Sequence, residues 1–195
     1  PPSDVSFDLD YVKAYVIDAG QVFGNTVMVN VAFSDNTLAA ADFVTLINAK
    51  VKFAAGMGSY VLSASDGDFI SGPGAVVNLL KLVNAGLSIG TGSEKLSNAS
   101  VSLANAQILA NAGLQFDSGV SVQLSSTDLA ASSTPLILKN LGLSVMKSIA
   151  GTVSVTQVDN FKATLTNLSF TSGTTLQITS GSDLTAATGK APNYY

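Results

Sequence analysis

The sequence predicts an all-β fold, and three observations lead to that prediction. Several stretches alternate apolar and polar residues with a period of two, which is typical of strands with one face in a core. Helical periodicity is scarce in comparison. The phrase Asn-x-Gly-Leu-x-apolar begins at Asn84, Asn111 and Asn140, at intervals of 27 and 29 residues, and a fixed period of this length indicates a repeating unit.

Residues 1–17 are predicted to form an N-terminal strand, in which residues 3–11 alternate cleanly and residues 11–17 are apolar on both faces. The apolar residues of one predicted face are Val5, Phe7, Leu9 and Tyr11. The opposite face carries Asp4, Ser6, Asp8 and Asp10. This pattern predicts a strand, which either begins the chain's own domain or is donated to a neighbouring subunit and completes its sheet.

Further strands are predicted within residues 26–33, 119–124, 151–155 and 174–178, where the alternation returns. Three apolar stretches fit a short helix and a buried strand equally well, because periodicity cannot separate the two in short runs. They are residues 38–48, 75–83 and 101–112.

The recurring phrase predicts the architecture. A version without the glycine begins at Asn167, so residues 84–139 and 140–195 form two tandem units within one predicted domain of 195 residues. A β-solenoid with coils of about 28 residues explains this spacing, and so does a β-sandwich or jelly roll built from duplicated hairpins. In both, Asn and Gly mark a corner because they tolerate left-handed backbone, and the following Leu points into the core.

Residues 151–181, GTVSVTQVDNFKATLTNLSFTSGTTLQITSG, carry a family resemblance. The alternation of Val and Leu with Ser, Thr, Asn and Gly resembles the coils of secreted bacterial β-repeat surface and filament proteins, either filamentous-haemagglutinin-like or pilus-associated. The resemblance extends over roughly the last 110 residues. It implies surface attachment or fibre formation rather than a reaction.

The composition excludes some classes of partner. Charged residues make up 11% of the chain, against a usual share of about 25%, so the surface is rich in neutral polar groups and suits assembly. The chain has nine Lys, 13 acidic residues and no Arg, and its net charge of −4 does not favour nucleic acid. Its apolar runs are too short for a membrane-spanning helix.

Catalytic residues are poorly represented. The chain has no His and no Cys, which excludes a Ser-His-Asp triad and a thiol nucleophile within it. A pair of Asp suffices for a glycosidase, but nothing in the sequence singles out one pair. A calcium-dependent polysaccharide hydrolase or lyase is a further alternative, although such lyases commonly need Arg or Lys beside acidic ligands and the chain has no Arg. We therefore expect no enzymatic activity.

Calcium is the cofactor that the sequence best supports. Asp66 and Asp68 lie two residues apart in SASDGDF, and their carboxylate oxygens suit Ca²⁺. Asp8 and Asp10 would lie about 7 Å apart on one face of a strand and could complete such a site. The alternative is that Asp66 and Asp68 only stabilise a turn through hydrogen bonds to the backbone.

Two glycosylation sequons and two terminal aromatics complete the candidate residues. The sequons begin at Asn98 and Asn167, and Asn167 also belongs to the recurring phrase. Tyr194 and Tyr195 close the chain and suit either an interface or a cap over the core.

Together these features predict a mature, extracellular, non-catalytic structural protein. It would assemble with copies of itself, through pairing of β-strands, into a filament, a pilus-like fibre or a surface layer. One alternative is a surface adhesin or carbohydrate-binding module that binds surface glycans. Another is a structural protein of a phage or virus.

Overall fold

The computed structural model describes residues 6–29, 38–54, 59–62, 66–90, 95–143, 145–148, 152–164 and 175–177. Within these ranges, helices hold roughly twice as many residues as strands, and the strands are two to four residues long. The fold is therefore mixed α/β with helices dominating. The prediction of a β-rich fold, as a solenoid or a sandwich, is wrong.

The chain divides into two compact units. The first unit comprises residues 1–96 and 108–115, and the second comprises residues 97–107 and 116–195. The prediction of tandem units at 84–139 and 140–195 stays a prediction, since much of the last segment lies outside the described residues.

The first unit alternates short strands with helices. Its elements are β1 (Ser6–Phe7), α1 (Leu9–Lys13), a π-helix (Ala14–Asp18), β2 (Val27–Val29), α2 (Ala40–Asn48), β3 (Val51–Phe53), β4 (Ser59–Val61), α3 (Gly67–Ile70), α4 (Ala75–Asn84) and β5 (Ser88–Gly90). Strands β1, β2 and β3 form one parallel sheet in that order, and β4 pairs in parallel with β5.

The second unit follows the same alternation. Its elements are β6 (Ser100–Ser102), α5 (Leu103–Asn111, whose residues 108–111 count with the first unit), β7 (Ser121–Leu124), α6 (Ser126–Ala130), α7 (Thr134–Asn140), β8 (Val145–Ser148), β9 (Thr152–Ser154), α8 (Val155–Thr164) and β10 (Thr175–Gln177). Strands β6, β7 and β8 form a parallel sheet, and β9 pairs in parallel with β10.

Parallel pairing explains why helices are needed. Two parallel neighbours cannot be joined by a tight hairpin, so the chain must cross over between them, and a helix usually forms the crossover. Here α2 joins β2 to β3, and α4 lies between β4 and β5. Paired residues are 21 to 29 positions apart, for example Val122 with Met146 and Tyr60 with Ile89.

Each helix turns an apolar stripe inward. In α4 the buried residues Ala75, Val76, Leu79 and Leu82 recur at helical spacing, and Leu79 and Leu82 are completely buried. Burying one such leucine fully stabilises the fold by about 1.5–3 kcal/mol. The strands contribute alternate residues to the same cores, as Val51 and Phe53 do on either side of exposed Lys52.

Serine side chains mark the start of several helices. The Ser125 Oγ accepts a hydrogen bond from the Asp128 backbone N–H at 3.1 Å, and the Asp128 carboxylate accepts one from the Ser125 N–H at 2.9 Å. Ser154 and Gln157 exchange equivalent bonds of 3.2 and 2.8 Å at the start of α8. These capping boxes satisfy backbone donors that a helix otherwise leaves free.

The recurring phrase is a helix stop. Gly86, Gly113 and Gly142 all have left-handed backbone, with φ of +96°, +98° and +71°. After each glycine the leucine N–H bonds back to the carbonyl five residues earlier, at 3.2, 3.0 and 2.9 Å, which defines a Schellman motif. We call Asn-x-Gly-Leu the stop phrase. Its leucines, Leu87, Leu114 and Leu143, are buried as predicted, but the corner ends a helix rather than a strand.

Close backbone packing requires two of these glycines. A Cβ atom at Gly86 would lie 2.1 Å from the Phe53 carbonyl oxygen, and one at Gly113 would lie 2.1 Å from the Ile89 carbonyl oxygen. At Gly142 a Cβ would meet nothing within 4 Å. Glycine at 86 and 113 therefore serves both the left-handed turn and the approach of a neighbouring strand.

A fourth helix stop carries lysine instead of glycine. Residues 48–51 read Asn-Ala-Lys-Val, and Lys50 has φ +70° while its N–H bonds the Ile47 carbonyl at 2.9 Å. A non-glycine residue in this conformation is strained by about 1–2 kcal/mol. The Lys50 Nζ donates a hydrogen bond to the Gly24 carbonyl at 2.7 Å, so the side chain links the end of α2 to the loop before β2.

The prediction of one N-terminal strand over residues 1–17 is wrong, because residues 9–18 are helical. Within the described residues 6–17, the strand is limited to Ser6–Phe7, paired in parallel with Met28–Val29 of the same chain, and α1 begins at Leu9. The Asp8 carboxylate caps this helix by accepting the Tyr11 N–H at 2.7 Å. Leu9, Val12 and Val16 are buried at helical spacing, which the alternation of larger side chains concealed.

Candidate functional site

Four aromatic rings form a stacked cluster near the start of the first unit. Phe7 and Tyr11 have ring centroids 4.9 Å apart, Tyr11 and Tyr15 are 6.2 Å apart, Tyr15 and Phe23 are 4.7 Å apart, and Phe23 and Phe7 are 5.8 Å apart. Each ring thus touches two others, with interplanar angles of 7–29°. These distances are those of favourable aromatic pairs. We call these four residues the aromatic surface.

The helical backbone explains how the rings come together. Tyr11 and Tyr15 are four residues apart and therefore lie on the same side of α1 and the π-helix. Val12 and Val16 point into the core and anchor that helical segment. Wider π-type turns occur frequently at functional sites, since they displace side chains from regular α-helical positions.

The aromatic surface faces solvent to a considerable extent. Tyr11 is 48% exposed, and Phe7, Tyr15 and Phe23 are partly exposed. Val22, next to Phe23 in the chain, is 69% exposed. Asp10 and Asp18, which are close to the tyrosines in the chain, are exposed as well. Exposed apolar groups together with polar ones are the usual composition of a protein interface.

The structure brings together two of the four predicted assembly residues of the N-terminal strand. Phe7 and Tyr11 stack on each other, but they do so from a strand and a helix rather than from one strand. Leu9 is 9% exposed and belongs to the core of the first unit. Val5 lies outside the described residues.

Asp66, the first predicted calcium ligand, is buried in a hydrogen-bonded cluster. It is 4% exposed, and its two carboxylate oxygens accept from the Ala40 backbone N–H and from the Tyr60 hydroxyl, both at 2.9 Å. The Ala40 N–H is at the start of α2, where a backbone donor has no partner within the helix. The Asp66 carboxylate, 26 residues away in the chain, supplies that partner and so caps the helix. Phe43 packs edge-on against Tyr60, with centroids 4.9 Å apart.

Burial of the Tyr60 phenol, strengthened by its hydrogen bond to the Asp66 carboxylate, raises the pKa of Tyr60 well above its ordinary value of 10.0. The hydroxyl therefore stays protonated and continues to donate to Asp66 at any physiological pH. This cluster is a structural element of the first unit.

The remaining predicted metal ligands are not grouped with Asp66. Asp68 is exposed in the first turn of α3, Asp10 is exposed in α1, and Asp8 caps α1. Among the residues that the structure describes, no group of three or more acidic, His or Cys side chains is placed to hold a metal ion. Calcium binding stays a prediction.

Of the two predicted glycosylation sites, the structure describes the one at Asn98. Asn98 is exposed and adopts left-handed backbone with φ +47°, in a turn that precedes β6. Ala99 is buried and the Ser100 Oγ is enclosed by protein, so the rest of this sequon faces the interior. Asn167, Tyr194 and Tyr195 lie outside the described residues.

Sequence reasoning missed Tyr15 and Phe23 of the aromatic surface. The spacing of Tyr11 and Tyr15 was visible, but it points to a shared surface only once residues 9–18 are read as helical. No local pattern brings Phe23 to the same place, because its position depends on the loop before β2.

Within the described ranges, no helix combines the length and apolar character needed to cross a membrane. The chain matches no family model, no curated protein and no solved structure.

Proposed function

We propose that this chain is a non-catalytic, extracellular structural protein that associates with further copies of itself through the aromatic surface. The observation that carries the proposal is the closed circuit of four stacked rings, partly open to solvent, at one place on the first unit. Fibres, pilus-like filaments and surface layers are assemblies that such a subunit could build.

The chemistry of the surface favours a protein partner. Exposed apolar patches with a polar border mark interaction sites, and aromatic residues are enriched at the centres of interfaces. Tyrosine in particular supplies a large contact area with little loss of side-chain freedom. The rings are already packed against each other, so little further ordering opposes association.

The low charge of the chain supports a second copy as that partner. Only 11% of residues are charged, so two identical surfaces meet with little electrostatic repulsion. The chain also offers no His or Cys for acid–base or thiol chemistry, which agrees with a structural role.

Sedimentation velocity over a range of protein concentrations tests this proposal. We expect the wild-type chain to self-associate and Tyr11→Lys to weaken association at least about tenfold, because a charge would be buried among the rings. Leu136→Lys is the matched control, since Leu136 is 57% exposed on α7 of the second unit. Circular dichroism verifies that both variants fold.

Two outcomes would overturn the proposal. A wild-type chain that stays monomeric at every attainable concentration would exclude self-association. Association that Tyr11→Lys leaves unchanged would exclude the aromatic surface as the contact. Exposed tyrosines offer an apolar ring face with a polar hydroxyl. Neutral-glycan binding by the monomer that Tyr11→Lys abolishes would therefore support the adhesin alternative instead.

A further inference from the structure

An open cavity of about 280 Å³ in the first unit is lined by three lysines. We call it the lysine cavity. Its lining residues are Thr26, Ile47, Lys50, Val51, Lys52, Lys81, Asn84 and Ala85. Three of the nine lysines in the chain thus line one cavity, and no acidic residue among those that the structure describes lines it, although the chain as a whole is acidic.

The remaining lining residues would complement a small organic molecule. Val51 and Ala85 are buried and form an apolar wall together with Ile47. The Thr26 hydroxyl and the Asn84 amide add neutral hydrogen-bonding groups. The volume lies just below the range of about 300–1,000 Å³ found for sites of drug-sized ligands, so a molecule the size of one sugar ring fits it.

The position of Lys50 is the second observation. Three other helix stops have glycine at the equivalent position, whereas here a lysine accepts a left-handed backbone with φ +70°. Strained residues of this kind cluster at ligand-binding sites, where the side chain justifies the strain. The Lys50 ammonium has three donors and uses one of them on the Gly24 carbonyl, so its charge is held in place and two donors remain.

Helix geometry alone does not explain all three lysines. Lys81 lies in the last turn of α4, where a cation interacts favourably with the helix dipole, and Lys139 and Lys162 are placed similarly in α7 and α8. Lys50 and Lys52 differ, because they lie beyond the end of α2. They nevertheless line the same cavity as Lys81.

The direction of α2 and α4 favours a carboxylate over a phosphate as the anion that the cavity binds. Phosphate sites commonly use the free N–H groups of a helix N-terminus. The lysine cavity instead lies at the C-terminal ends of α2 and α4, where it is lined by Ile47 in the last turn of α2 and by Asn84, the last residue of α4. Without helix N–H groups, the lysine ammonium groups are the main donors, and they can pair with the oxygens of a carboxylate.

We propose that the lysine cavity binds a small carboxylate-bearing molecule of the size of a sugar acid. Lys50, Lys52 and Lys81 hold the carboxylate, and the apolar wall and the neutral polar groups contact the remainder of the ligand. This proposal is independent of self-association, since none of these residues belongs to the aromatic surface.

Isothermal titration calorimetry with glucuronate, glucose and inorganic phosphate tests the assignment on the full chain. We expect glucuronate to bind, glucose to bind at least about tenfold more weakly, and the glucuronate affinity to fall as NaCl is raised. Equal binding of glucose, tighter binding of phosphate, or no binding of any probe would each overturn the proposal.

Three variants locate the site. Lys52→Gln and Lys81→Gln should each weaken glucuronate binding several-fold, whereas Lys139→Gln, the last-turn lysine of α7, should leave it unchanged. Lys50→Gly restores the glycine of the other helix stops, so it should fold normally and still lose affinity. Equal losses in all four variants, or none in the three cavity variants, would contradict the site. Urea unfolding shows that each variant is folded.

Discussion

At the scale of single residues, the hydrogen bonds of Asp66 connect three separate parts of the first unit. Asp66 precedes α3, Tyr60 lies in β4 and Ala40 begins α2. Because Asp66 is buried, removing one of its donors deprives a carboxylate oxygen of a hydrogen bond, and water cannot easily replace the lost donor. Such losses exceed the net contribution of an ordinary hydrogen bond.

The Tyr60→Phe variant should therefore be less stable by about 1–3 kcal/mol at pH 7, measured by urea unfolding. Tyr11→Phe is the control, because Tyr11 is 48% exposed and its hydroxyl should change stability by less than about 0.5 kcal/mol. A Tyr60→Phe chain as stable as the wild type would show that the hydroxyl does not support Asp66.

Tyr60 also predicts a dependence on alkaline pH. Its pKa is raised in the folded chain, so the unfolded state loses the phenol proton near pH 10.0 while the folded state retains it. This contribution to stability is complete below pH 10 and falls above it by up to about 1.4 kcal/mol per pH unit. Tyr60→Phe should remove that part of the decline, and parallel alkaline slopes for the two chains would contradict the prediction.

The glycines of the stop phrase allow a matched comparison. Gly142→Ala should cost about 1–2 kcal/mol, because only the left-handed backbone opposes the new Cβ. Gly86→Ala and Gly113→Ala should cost about 1–3 kcal/mol more, since a carbonyl oxygen lies 2.1 Å from the added atom. Equal losses in urea unfolding at all three positions would contradict the close packing.

At the scale of elements, the sequence encodes where helices begin and end more clearly than which segments are helices. The strands β7, β9 and β10 lie within the predicted ranges 119–124, 151–155 and 174–178. Helices α2, α4 and α5 occupy the three stretches for which both states were open. Short apolar runs fit both the helical period of 3.6 and the strand period of 2. Tertiary packing, rather than the local pattern, therefore determines that these three stretches are helical.

Two signals could have resolved that ambiguity. Ser-Thr-Asp after Ser125 and Val-Thr-Gln after Ser154 are capping-box sequences that announce a helix directly behind a strand. The stop phrase, read as a helix C-terminus, would have placed helices before Asn84, Asn111 and Asn140. The aromatic surface and the lysine cavity were not accessible in this way, because each depends on residues from several elements.

The caps make a quantitative prediction for α6. Ser125→Ala should cost about 1 kcal/mol in the free energy of unfolding, because it removes the Oγ that accepts the Asp128 N–H and donates to the Asp128 carboxylate. Ser126→Ala, one residue further and exposed inside the helix, should be neutral or slightly stabilising. Equal effects of the two substitutions would show that the box contributes nothing.

At the scale of the whole molecule, the two proposed activities should respond to salt in opposite ways. Self-association through stacked rings depends on apolar contact, so it should persist or strengthen between 0.1 and 1 M NaCl, where the Debye length falls from about 10 to 3 Å. Glucuronate binding rests on ammonium groups and should weaken over the same range. Sedimentation velocity and calorimetry in one salt series measure both, and loss of association at high salt would contradict an aromatic contact.

The helix boundaries also have an evolutionary consequence. Each helix stop carries its own hydrogen bonds within a few residues, and the serine caps do the same at the helix start. A genetic deletion or duplication that joins one stop phrase to another, as from Asn84 to Asn111, would leave every remaining boundary intact. Chains of this design can therefore gain or lose whole strand–helix units without requiring new turn sequences.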